Sequence, residues 1–102
     1  MSYRLSRRAD AQLDSAIRKR EDDAGVFSAE KLSNAFDGIF EMLGKFPEAG
    51  SVRSDLTRRQ VRLFPCDVYW VVHKPRRPHD VDIVAIIDMR DQPLDNALGR
   101  RG

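Results

Sequence analysis

Arginine is the residue in this chain best placed to do chemistry. Arg53, Arg58, Arg59 and Arg62 crowd into the stretch 53–62, where Asp55 is the only acid. Arg90 follows the apolar run Val81–Ile87, inside the charged cluster Asp88-Met89-Arg90-Asp91. Of the 18 basic residues, 14 are arginine and 4 are lysine. A guanidinium presents a rigid fork of donors that matches a carboxylate or a phosphate, so the expected chemistry is anion clamping. A GC-rich genome would raise the arginine content as well. Guanidiniums stay protonated and make poor proton shuttles. Acidic neighbours such as Asp88 and Asp91 repel phosphates, which argues against bare nucleic-acid binding around Arg90.

Other reactive groups give weaker signals. Cys66, Asp67, His73 and His79 lie close together but lack any zinc-ligand spacing, so no metal is expected. Cys66 follows a proline in an expected turn, with no orienting base nearby. No glycine-rich phosphate loop or dinucleotide fingerprint is present, and no cofactor is expected. One cysteine allows no internal disulfide, which fits a reducing cytosol. No apolar run reaches the length of a signal peptide or a membrane span, so the expected location is the cytoplasm, away from membranes.

These side chains need a scaffold, and 102 residues suffice for one domain spanning 1–102. Tyr3–Ser6 reads as a short extended segment. Ala9, Leu13, Ala16 and Ile17 then recur at helical spacing, and Gly25 closes that helix. Ser28 is the expected N-cap of a second helix, whose stripe Leu32, Ala35, Phe36, Ile39, Phe40 and Leu43 ends at Phe46-Pro47. A short turn between the two makes an antiparallel hairpin. After Pro47 the period falls to two. Gln60–Phe64, Val68–His73 and Val81–Ile87 read as strands, with turns at Pro65–Asp67 and Lys74–Asp80, forming a three-stranded antiparallel meander. The expected fold is α+β in two layers, with Leu13, Ile17, Leu32, Phe36, Ile39, Phe40 and Leu43 buried against one sheet face. Val61 and Leu63 are assigned to that covered face. Arg62, Tyr69, Val71 and His73 are assigned to the open one, together with Asp82, Val84 and Ile86. A flexible tail is expected over 95–102.

The order of these elements resembles the RelE/ParE superfamily of bacterial type II toxins, and lies closer to its ParE branch. The landmarks are Tyr3-Arg-Leu-Ser-Arg-Arg-Ala9, Leu43-Gly-Lys-Phe-Pro-Glu-Ala-Gly50, Val61-Arg62-Leu63-Phe64, Val68-Tyr69-Trp70-Val71-Val72-His73 and Ile87-Asp-Met-Arg90-Asp91. They cover Tyr3 to about Leu94. Each is degenerate alone; their order and spacing carry the likeness.

That resemblance implies a growth-inhibiting toxin, without nuclease chemistry, that binds a large target (DNA gyrase). It implies a cognate antitoxin that joins the chain in a hetero-oligomer and supplies operator DNA binding indirectly. The contact residues it suggests are Arg53, Arg58, Arg59, Arg62, Tyr69, His73 and Arg90, with no catalytic residue. The alternative is a RelE-like ribosome-dependent endoribonuclease, with Arg62, His73 and Arg90 as its catalytic set. The cleaving branch commonly carries a tyrosine or histidine near its C-terminus, and residues 91–102 contain neither.

Overall fold

The computed structural model describes residues 2–91 and 94–98. In chain order the elements are β1 (Ser2–Leu5), α1 (Arg7–Ala24), α2 (Val26–Lys45), β2 (Arg62–Cys66), β3 (Tyr69–Arg77), β4 (Asp80–Asp88) and α3 (Leu94–Leu98). The four strands form one sheet in the order β1-β4-β3-β2. β2, β3 and β4 make the antiparallel meander, and β1 pairs in parallel with β4, Tyr3 opposite Val81 and Leu5 opposite Ile83.

Each helix boundary has a local cause. Ser6 starts α1 because its hydroxyl accepts the Ala9 N–H at 3.0 Å, satisfying a donor that the first turn would leave unmet. Gly25 serves both helices: its N–H donates to the Glu21 carbonyl at 2.8 Å and its carbonyl accepts from Ala29 at 3.1 Å. A φ of 93° at Gly25 reverses the chain in a single residue, a conformation open to glycine at little steric cost. The second helix therefore begins at Val26, and Ser28 lies inside it rather than capping it.

The hairpin α1–α2 packs on one sheet face. Ala9 and Ala16 join Leu32, Phe36, Phe40 and Leu43 over Val71, Val81, Ile83 and Ile86, with Leu13, Ile17 and Ile39 partly buried at the margin. The Phe36 ring sits 5.9 Å from Phe40 and 5.8 Å from Tyr69.

The second face of the sheet is also covered. Val61, Leu63, Val72, Ala85 and Ile87 form a second apolar cluster with Leu94 and Leu98 of α3. This corrects the facing of the strands. Val61 and Leu63 lie away from the hairpin, whereas Phe64, Tyr69, Val71 and Ile86 lie under it. The alternation along the strands is as expected, but both parities are apolar, so periodicity alone does not say which face meets the hairpin. A helical turn at Leu94–Leu98, overlapping the start of the expected tail, buries both leucines. Residues 99–102 lie outside the described residues.

Prolines mark where the strands have a free margin. β2 runs through Pro65, and the turn to β3 is only Asp67-Val68, with Asp67 at φ 58°. β2 is the edge strand, where a missing N–H is tolerated. Its outer side is bridged by Ser51, whose N–H donates to the Leu63 carbonyl at 3.0 Å and whose carbonyl accepts from Leu63 at 2.8 Å. Lys74–Arg77 extend β3 where a turn was expected, and Pro75 falls beyond His73, the last residue paired with β2.

Two truncations test this packing. Phe36→Ala should cost about 3–5 kcal/mol in urea unfolding, and Leu98→Ala about 2–5 kcal/mol. A Leu98→Ala variant as stable as wild type would show that α3 does not seal the second face.

Candidate functional site

The sequence-derived site residues separate into three places. On the second face, Arg53 holds Asp55 in a bidentate pair, Nε to Oδ1 at 2.9 Å and Nη2 to Oδ2 at 2.8 Å. Its guanidinium carbon also lies 5.9 Å from the centre of the Trp70 ring, a cation–π arrangement. Arg59 lines a small cleft of about 200 Å³ with Val61, Val72, Val84, Leu98 and Lys74. Among the described residues, neither Arg59 nor Lys74 forms an ion pair through its side chain. Arg58 is exposed in the same loop.

Arg62 and His73 form the second group, directly opposite each other on β2 and β3. They lie on the hairpin side of the sheet, not on an open face. Arg62 approaches Glu48 at 3.7 Å. His73 is fully buried, with Nε2 2.9 Å from the Ala49 carbonyl and Nδ1 3.3 Å from the Val71 carbonyl. Burial pushes its pKa down, opposed by the two carbonyls and aided by the nearby Arg62 charge. The loop bends over it at Gly50, where φ is 89° and an added Cβ would stand 2.6 Å from the Leu63 carbonyl oxygen. His73 thus ties the Ala49–Ser51 segment to the sheet. As an accessible contact or a proton-transfer base it is misplaced, because its side chain is shut off from solvent.

Arg90 is the third place, at the far end of the sheet. Its Nε and Nη2 donate to the two oxygens of Asp88 at 3.0 and 2.7 Å, and its backbone N–H donates to Asp88 Oδ1 at 2.8 Å. The Arg90 hydrogen bonds hold the Asp88 carboxyl down at about 2. Asp88 stands opposite Tyr69, whereas Arg62 stands opposite His73, so four residues of strand, about 13 Å, separate the levels of Asp88 and Arg62, and Arg90 follows two residues beyond Asp88. The structure does not bring Arg62, His73 and Arg90 together around one phosphate.

Other contacts at this end were not legible in the sequence. Arg20 of α1 pairs with Asp67 in the β2–β3 turn, which the positive φ of Asp67 helps to aim. Tyr69 is 8% exposed and lines a groove of about 620 Å³ beside α1, with Gln12, Ser15 and Lys19. Gln12, a polar residue one position before the apolar stripe residue Leu13, was the available signal. Cys66 is buried, and burial pushes its thiol up to about 11, which leaves it a poor nucleophile at neutral pH. Among the described residues, no group of three histidine, cysteine or acidic side chains could hold a metal, and no helix is long and apolar enough to cross a membrane.

The family model for the ParE toxin of the type II toxin–antitoxin system parDE matches residues 3–93. The chain belongs to the ParE toxin family. A solved structure described as the chromosomal ParDE TA system from P. aeruginosa shares the fold, with a TM-score of 0.70 at 19% identity over 86% of this chain and 95% of that one. No curated protein matches the chain. The family assignment agrees with the resemblance carried by the sequence landmarks.

His73 gives this ParE-family fold a defined pH dependence. Its folded pKa lies below the ordinary 6.5, so the unfolded chain takes up the proton first. Its contribution is complete above about 6.5 and declines as pH falls below that value. Thermal melts should therefore show stability dropping between pH 7 and 5, with a shallower drop in His73→Gln. An equal slope in both proteins would assign the effect to other groups.

Proposed function

We propose that this chain is a growth-inhibiting toxin that acts by binding a large protein target, DNA gyrase, and is neutralised by a cognate antitoxin. The observation that carries the reading is the second face of the sheet. There an apolar cleft is flanked by Arg59 and Lys74, with Arg53 and Trp70 nearby on the same face. Such a surface suits an apolar segment with acidic side chains, since carboxylates would find unpaired cations beside a greasy slot. Arg90 adds a second basic position that is 75% exposed and, among the described residues, is paired with its neighbour Asp88. The antitoxin would contribute operator DNA binding, so the chain would meet DNA only through it.

The family affiliation supports a ParE-like mode of action over ribosome-dependent cleavage of messenger RNA. So does the separation of Arg62 and His73 from Arg90, because activating a ribose hydroxyl and protonating a leaving oxygen require groups gathered at one phosphate.

Induction of the chain in cells, followed in time, tests this. DNA-damage signalling should precede any loss of messenger RNA, and purified chain with ribosomes should leave messenger RNA intact. Ribosome-dependent cleavage that disappears in Arg90→Ala would overturn the proposal.

Salt should separate the roles of charge and apolar contact. Screening shortens to about 3 Å at 1 M salt, so exposed arginines steer encounter more than they hold the complex. Association with the antitoxin should slow several-fold between about 0.1 M and 1 M salt while dissociation changes little. Arg59→Glu with Lys74→Glu should slow association further. Rapid dissociation in high salt would assign the affinity to the cations instead.

A further inference from the structure

The hairpin α1–α2 ends in two apolar side chains that its packing does not use. Val26 is 59% and Phe27 77% exposed, and every residue from Glu21 to Phe27 lies at the surface. The buried stripe of α2 begins only beyond them, at Ala29 and Leu32. The fold gains little from their size, since apolar area left in water contributes nothing. Single exposed apolar residues are ordinary, but here two neighbours share the apex of a projection. That apex is also rigid. Gly25 hydrogen-bonds into both helices, so Val26 and Phe27 stand on the first turn of a 20-residue helix and not on a loop. Lys31, one turn further on, places Nζ 5.7 Å from the centre of the Phe27 ring and restrains it. Contact there would cost little ordering entropy.

Charge around the apex is left with one sign in surplus. Arg18 is taken by Asp14 at 2.9 Å, Lys19 by Asp23 at 3.4 Å and Arg20 by Asp67. Among the described residues Glu21, Asp22 and Glu30 enter no ion pair. The Arg20–Asp67 pair also ties the β2–β3 turn to this end of the molecule, where Val68 is 45% exposed. The second face of the sheet has the opposite surplus, in Arg59 and Lys74. One and the same acidic segment cannot suit both surfaces.

We infer that the hairpin apex is the surface that engages the large target, at a basic patch on that target with an apolar hollow for Phe27. The inference rests on the target reading proposed above. A protein that handles DNA carries lysine and arginine along the path of the phosphates, so a basic patch is a surface such a target must present. Glu21 and Asp22 meet its cations, and Val26 and Phe27 fill the hollow between them. The acidic segment that suits Arg59 and Lys74 is repelled at the apex, which leaves the second face to the antitoxin. Two copies of this chain meeting apex to apex would set like charge against like.

The test titrates two probes onto the full chain: purified DNA gyrase, and the purified product of an adjacent antitoxin reading frame. Val26→Ser with Phe27→Ser should weaken gyrase binding about tenfold or more. Glu21→Lys with Asp22→Lys should weaken it by a similar factor at low salt and by less at high salt, where exposed charges are screened. Phe27→Leu, which keeps the apolar bulk, should retain gyrase binding. Antitoxin affinity and melting temperature should hold in all three variants, since none of the replaced side chains is buried. Wild-type gyrase affinity in both double variants overturns the inference and leaves the target reading standing. Loss of antitoxin binding in either of them gives the apex to the antitoxin and overturns it. Concentration-dependent self-association that disappears in Val26→Ser with Phe27→Ser would give the apex to a second copy and overturn it as well. A wild-type chain that does not bind gyrase at all overturns the target reading first, and the inference with it.

Discussion

The pairing of β3 with β4 is the constraint on which the remaining structure depends. These strands occupy the middle of the sheet, and Val71, Val72, Ile83 and Ala85 are wholly removed from solvent. One face meets Phe36 and Phe40, the other meets Leu94 and Leu98. A strand pair sealed on both sides cannot carry a charged site in its interior, where an uncompensated charge would be expensive. Charged function is thereby displaced to strand ends, margins and loops. Arg90 follows the end of β4, Arg59 sits in the loop before β2, and the buried imidazole of His73 has its pKa lowered by burial and lies against the Ala49 carbonyl.

Two of the arginines share a device. Arg53 and Arg90 each clasp an acid two residues away, Asp55 and Asp88, with two side-chain hydrogen bonds. Exposed pairs of this kind add little to stability. Their effect is orientational: a long side chain that would sample many rotamers is held in one direction, and ordering it on contact with a partner then costs less. Arg59 and Lys74 lack such a clasp among the described residues and present their charge without competition.

How much of this was legible in the sequence follows from what each signal measures. Helical spacing read the hairpin well, because Leu32, Phe36, Phe40 and Leu43 repeat on one stripe opposite a polar one. Gly25 marked the reversal, but the start of α2 was displaced because a one-residue turn leaves no place for a separate cap at Ser28. Strand alternation read the parity of Val61, Arg62, Leu63 and Phe64 and not their facing, since apolar residues occupy both parities. α3 escaped notice because five residues are too few to display a helical period. His73 looked available because its partners, the carbonyls of Ala49 and Val71, are main-chain groups that no side-chain pattern announces.

The margin of β2 has a consequence for colloidal behaviour. A sheet that ends in an unpaired strand is a template on which identical molecules can stack, and a protein held by a partner for part of its existence is most exposed to that fate once alone. Here Ser51 already occupies the hydrogen-bonding positions of Leu63, and Pro65 has no proton to offer. Growth of a cross-strand ladder from this side would have to displace the Ser51 bridge and then skip a residue that cannot donate. Such a barrier to fibril-like assembly costs the fold almost nothing, because proline is tolerated at an outermost strand. The same two residues that finish the sheet also keep free molecules from joining one another there.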